Sequence, residues 1–236
     1  MAATPVLPLL AALVSGLFAA HVWRQYARRR KVHQLAWGLG LSLFALASVL
    51  EAAVIASGWT VALYRVYFPV SASLVGLLGI GTLARVGQPA VTRSAIGIFL
   101  ALTALAALGQ FTVPLEASTV VGAGDDARPL SEWDADLGAK AIAFPQPARV
   151  ASLLLNVLGG LALIAGALWS AWKLRAWGLL LIGVGAMFPF LGGSLSTLGI
   201  ADARTLAQLA GIIVMFAGYL AGEAAGRASR AAPATA

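Results

Sequence analysis

Glu51 is the one acid set inside a long apolar stretch: neither Gln34–Leu50 before it nor Ala52–Tyr64 after it contains Asp, Glu, Lys or Arg. Arg65 closes the second of these runs, just past a short Gly58-Trp59 turn. An acid and a base at that separation can pair, and ionisable groups within apolar spans mark binding or transport sites as often as structural clamps. Tyr67, Ser71, Ser73, Asn156 and Gln208 are further polar groups in apolar surroundings, as are Gln110, Ser194, Ser196 and Thr197. Little else could do chemistry. The chain has no cysteine, which removes disulfides, thiolate catalysis and thiolate-held metals. His21 and His33 could offer two axial nitrogens to a haem. They read more simply as solvated histidines near an interface. Glu132, Asp134 and Asp136 lack the glycine and ligand spacing of a calcium loop. Without paired acids or clustered histidines the reading is non-catalytic, with no cofactor and no metal.

The elements that must position these groups follow from composition. Of 236 residues, 60% are hydrophobic and 11% charged, against about a quarter charged in an ordinary soluble domain. Charge-free runs recur at close to the ~20 residues that carry a helix across a bilayer core. They give an all-α fold class, a polytopic bundle of seven transmembrane helices. The expected spans are Pro5–Trp23, Gln34–Ser57, Tyr64–Arg85, Ser94–Val113, Ala148–Trp172, Ala176–Gly199 and Arg204–Gly222. Residues 1–227 then form one membrane domain with a long loop, Pro114–Pro147, and 228–236 a disordered tail. Short connections make sequential helices antiparallel neighbours.

Charge orients the bundle. Arg24, Arg28, Arg29, Arg30 and Lys31 follow helix 1. Arg85 and Arg93, Lys173 and Arg175, and Arg227 and Arg230 all fall at the same side. Glu116, Asp125, Asp126, Glu132, Asp134, Asp136 and Asp202 fall at the other. The positive-inside rule makes the basic side cytoplasmic, so the chain is N-out/C-in and multi-pass in the cell inner (plasma) membrane. The same segregation explains the net charge of +7 without nucleic acid. The basic cluster follows the first apolar run instead of preceding it, which fits a signal anchor and not a cleaved leader. Trp23, Tyr26, Trp37, Trp169, Trp172 and Trp177 read as the inner aromatic belt, and Trp59, Tyr64, Tyr67 and Trp133 as the outer one.

With helix directions fixed, the polar residues within the spans fall at one level, in the outer third. If they point inward they line a pocket bounded by helices 2, 3, 5, 6 and 7, with Glu51, Arg65, Tyr67, Asn156 and Gln208 on its wall and the long loop above it. The rival is a set of isolated interhelical hydrogen bonds. Pro189 should kink helix 6 beneath such a pocket or simply bend it. Gly218, Gly222 and Gly226 form a small-residue ridge that serves packing within the bundle or a homodimer seam. Ala36-Trp37-Gly38-Leu39 and Ala176-Trp177-Gly178-Leu179, 140 residues apart, suggest a 3+1+3 duplication.

Seven helices in this orientation, with Tyr64-Arg65 opening the third, resemble the microbial rhodopsin and receptor-like plan. That likeness is of topology only: the lysines are Lys31, Lys140 and Lys173, so helix 7 has none for a retinal Schiff base. The 3+1+3 plan resembles the sugar-transporting semi-SWEET-type duplications, but their Pro-Gln motif is missing from helix 1, and Pro145-Gln146 lies just outside helix 5. Through Glu51…Gly58-Trp59…Leu63-Tyr64-Arg65-Val66-Tyr67…Gly79-Ile80-Gly81-Thr82 the chain resembles bacterial seven-helix membrane proteins of uncharacterised activity. The function expected is a sensor, small-molecule binder or accessory subunit with an outward-facing polar pocket, its partners the lipid bilayer and a small-molecule or lipid ligand. A small-solute transporter on the 3+1+3 plan is the alternative, and a membrane-embedded enzyme the third reading.

Overall fold

A computed structural model of the chain describes residues 4–86, 89–112, 146–174, 177–197 and 203–231. Among them are seven helices: α1 (Val6–Arg29), α2 (Val32–Ser57), α3 (Val61–Val86), α4 (Pro89–Thr112), α5 (Gln146–Leu174), α6 (Trp177–Thr197) and α7 (Ala203–Ala231). Six are long and apolar enough to cross a membrane, and α6 adds the shorter apolar run Leu180–Pro189. The chain is a polytopic helical membrane bundle. Residues 114–145 of the long loop and the side chains of Gln110, Ser194, Ser196 and Thr197 lie outside what is described, whereas Gln146 and Pro147, expected in the loop, begin α5.

Two helices run well past their expected ends. α1 continues through Arg24–Arg29 because Arg, Gln and Ala are good helix formers once outside the apolar zone. It stops at Arg30, whose left-handed backbone (φ 50°) lets its N–H bond the Tyr26 carbonyl at 2.8 Å. α7 continues to Ala231, through the start of the segment read as a tail. Gly58 ends α2 at φ 78°, a conformation open to glycine, and returns its N–H to the Val54 carbonyl at 2.7 Å.

The helices pack as a ring in the order α1, α2, α3, α5, α6, α7 and back to α1, and α4 lies against α3 and α5 from outside. Only 6% of the α4 span is buried, so its apolar side chains face lipid. Lipid gives no hydrophobic drive between helices, so close backbone approach must hold the ring. Gly79 and Gly159 bring α3 and α5 together: a Cβ at Gly79 would stand 2.5 Å from the Gly159 carbonyl oxygen. The α7 ridge seats on α6 in the same way, Gly218 and Gly222 against Gly178, and Gly211 against Gly185. Gly218 is therefore occupied within the chain, which is the packing use of the ridge.

The core fills the half of the ring nearer the basic ends. Phe18, fully buried, stacks on Phe216 with ring centroids 4.9 Å apart and meets Trp37 edge-on at 6.1 Å. Leu41, Leu78, Leu163, Ile182, Ile212 and Met215 complete that cluster. Trp37 thus belongs to the core and not to an interfacial belt, whereas Trp169 and Trp172 are exposed as a belt requires.

Candidate functional site

At the other half of the ring the core gives way to a cavity of about 310 Å³. α2 contributes Phe44, Ala47, Ser48 and Glu51, and α3 contributes Tyr67, Ser71, Leu74, Val75 and Leu78. Asn156, Gly160 and Leu163 come from α5, and Ala186 and Pro189 from α6. α7 supplies Arg204, Gln208, Ile212 and Met215. These are the five helices expected around a pocket. Pro189 lines its wall.

Four of the five expected wall residues, Glu51, Tyr67, Asn156 and Gln208, meet there. Arg65 does not line it, and the expected Glu51–Arg65 pair is corrected: the cation acting on Glu51 is Arg204. The reason is helical geometry. Tyr64, Tyr67, Ser71, Leu74 and Leu78 form one stripe at spacings of three and four, and two residues back from Tyr67 is a turn of about 200° at 3.6 residues per turn. Arg65 and Tyr67 cannot share a face.

Glu51, Gln208, Arg204 and Tyr67 form one network. In the orientation that satisfies both ends of its amide, Gln208 donates to Glu51 Oε2 at 3.3 Å and accepts from Arg204 Nε at 3.2 Å. Arg204 Nη2 donates to the Tyr67 hydroxyl at 3.4 Å. The Tyr67 ring is held edge-on by Trp59 at 5.7 Å. Glu51 is 4% exposed, so its carboxyl group is met by these partners and hardly at all by water. Asn156 Nδ2 donates to the Ser152 carbonyl at 2.9 Å. Ser73, expected at the same level, is buried away from the cavity wall.

A second polar cluster lies at the basic end. His21 Nε2 and Glu223 Oε2 are 2.5 Å apart. Gln25 Nε2 donates to Glu223 Oε1, and Gln34 Nε2 donates to Gln25 Oε1 at 3.2 Å. α1 and α7, the least extensively packed neighbours of the ring, are joined here through side chains. The histidine read as solvated is in fact paired with a carboxylate. Sequence reasoning passed over Glu223 because helix 7 was ended at Gly222. The signal was present in the stripe Arg204, Gln208, Ile212, Met215, Tyr219 and Glu223, which puts both clusters on one face of α7.

Among the described residues no group of three or more His, Cys, Asp or Glu could hold a metal ion. No family model, no curated protein and no solved structure matches this chain.

Proposed function

We propose that this multi-pass protein of the inner (plasma) membrane is a non-catalytic binder, a sensor or accessory subunit, that takes a small molecule from the outer side into the α2–α3–α5–α6–α7 cavity. The observation that carries this is the convergence of Glu51, Tyr67, Asn156, Arg204 and Gln208 on a cavity whose remaining wall is apolar apart from the hydroxyls of Ser48 and Ser71. Few, convergent polar groups among apolar walls are the usual composition of ligand sites, and about 310 Å³ stands at the lower end of their range of ~300–1,000 Å³. The polar end is the end that the charge bias assigns to the outside, while Phe18, Trp37, Leu78 and Ile182 fill the way to the cytoplasm.

A specific feature favours small-solute transport as the second reading. The ring of α1–α3 and α5–α7, with α4 outside it, is the arrangement that a 3+1+3 duplication would produce. Transport would require the apolar core around Phe18 to open.

Cysteine accessibility tests the reading, because the chain has no cysteine of its own. Ser71→Cys should react with a membrane-impermeant maleimide added to the outer face of sealed right-side-out vesicles, and not in inside-out vesicles. Labelling from the cytoplasmic face alone would overturn the outward-facing site.

A further inference from the structure

Three relationships on the cavity wall restrict what could occupy it. The first is charge. Glu51 and Arg204 are already joined through Gln208, at 3.3 and 3.2 Å. An ion entering alone would bring an uncompensated charge beside that link, or would have to break it. The second is hydrogen-bonding capacity. The Tyr67 hydroxyl accepts from Arg204 and keeps its own proton to donate. Asn156 has committed an N–H to Ser152, which leaves its Oδ1 as an acceptor. The polar end can therefore satisfy a head that both donates and accepts. The third is depth. From Arg204 to Met215, and from Tyr67 to Leu78, the wall descends eleven residues, ~16 Å at 1.5 Å per residue. Below Asn156 it is built from side chains such as Leu78, Leu163, Ile212 and Met215. A short zwitterion would fill only the upper part.

We infer that the cavity takes an amphiphile with an uncharged hydrogen-bonding head, seated among Tyr67, Asn156, Arg204 and Gln208, and a single apolar tail reaching towards Leu163 and Met215. This rests on the cavity being a ligand site, as proposed above. The head is an alcohol, amide or comparable neutral group, and the tail supplies most of the favourable contact area.

Photo-crosslinking of the full chain in lipid nanodiscs tests the inference. The probes are 1-decanol, decanoate at alkaline pH and decyltrimethylammonium, each with a diazirine in mid-chain, and L-leucine is the competitor. Labelled residues are located by mass spectrometry. Met215→Trp and Leu163→Trp each fill the lower cavity, and far-ultraviolet circular dichroism confirms that at least one of them folds. The decanol probe should label residues of α3, α5 or α7 facing the lower cavity at least ten-fold above its labelling of the folded Trp variant, and the two charged probes should not. Supplying the probe pre-mixed in the lipid, or from water, assigns its source as a bilayer lipid or a free solute. Equal labelling by either charged probe, or loss of the decanol signal to L-leucine, overturns the neutral head while leaving the ligand site standing. If no probe and no competitor distinguishes the wild type from the filled variant, both the inference and the proposed binding function fall.

Discussion

Glu51 on α2 and Arg204 on α7 are linked through one amide, that of Gln208, which donates to the first and accepts from the second. The link crosses the ring between two helices that are not neighbours in it. Removing one member of a buried ion pair leaves the other uncompensated, a loss of about 3–5 kcal/mol, whereas replacing both by apolar groups of similar volume is close to neutral. Arg204→Met alone should therefore destabilise the bundle by about that amount, and Glu51→Leu with Arg204→Met by much less. A double-mutant cycle on unfolding in detergent micelles measures the coupling. Additive single effects would mean that the two charges do not interact.

Gln208→Leu isolates the bridge. It keeps both charges but leaves Glu51 Oε2 and Arg204 Nε each short of a partner, which should cost about 1–3 kcal/mol for each polar atom left unsatisfied in a buried site. The same unfolding assay reports it. A variant as stable as the wild type would show that Glu51 and Arg204 close on each other directly.

The spans were legible because charge and apolar length are one-dimensional signals, and the level of the polar residues followed from helix direction. What a helix faces is a matter of angle, and there single-residue reasoning separates. Glu51 and Arg65 share a depth but not a face. Arg204, noticed only as the start of helix 7, holds the place given to Arg65 because it lies one turn before Gln208. Glu223 was hidden by an assumed helix end, since hydropathy falls before the helix does. Trp37 and Tyr67 have interfacial residue types yet are 8% and 3% exposed, because the ring draws them inward over Gly81 and beneath Trp59.

Glycines test the packing. At Gly159 a Cβ would meet the Val75 carbonyl oxygen at 2.6 Å and the Gly76 backbone at 2.7 Å, and neither can move without shifting α3. At Gly97 nothing lies within 4 Å. Gly159→Ala should lower stability by about 1–3 kcal/mol through overpacking, whereas Gly97→Ala should be neutral or add up to about 1 kcal/mol through helix propensity. Thermal unfolding of the two variants side by side decides it, and a reversed order would refute the close α3–α5 approach.

The basic bias predicts the orientation, with Arg24, Arg28, Arg29, Arg30 and Lys31 in and just after the last turns of α1. A reporter that is active only in the cytoplasm, fused after Ala236, should be active. A periplasmic reporter at the same point should be silent, and the opposite pattern would invert the bundle and place the cavity's polar end inside.

The cluster at the basic end carries the last prediction. α1 and α7 are the least extensively packed neighbours of the ring, and at the basic end His21 and Gln25 of α1 both reach Glu223 of α7. Behind this clasp Val22 is 1% exposed, within the cluster centred on Phe18. If the clasp holds the seam, loosening it should admit water to Val22 without unfolding the rest, because the glycine contacts of α6 on α7 and of α3 on α5 are untouched. Glu223→Ala removes the acceptor of both bonds. Val22→Cys in that background should react with a small maleimide several-fold faster than Val22→Cys alone, while a cysteine at Ala151, buried on α5, should keep its rate. Unchanged reactivity at position 22 would show that apolar packing closes the seam unaided, and a rise at both positions would mean general loosening of the bundle.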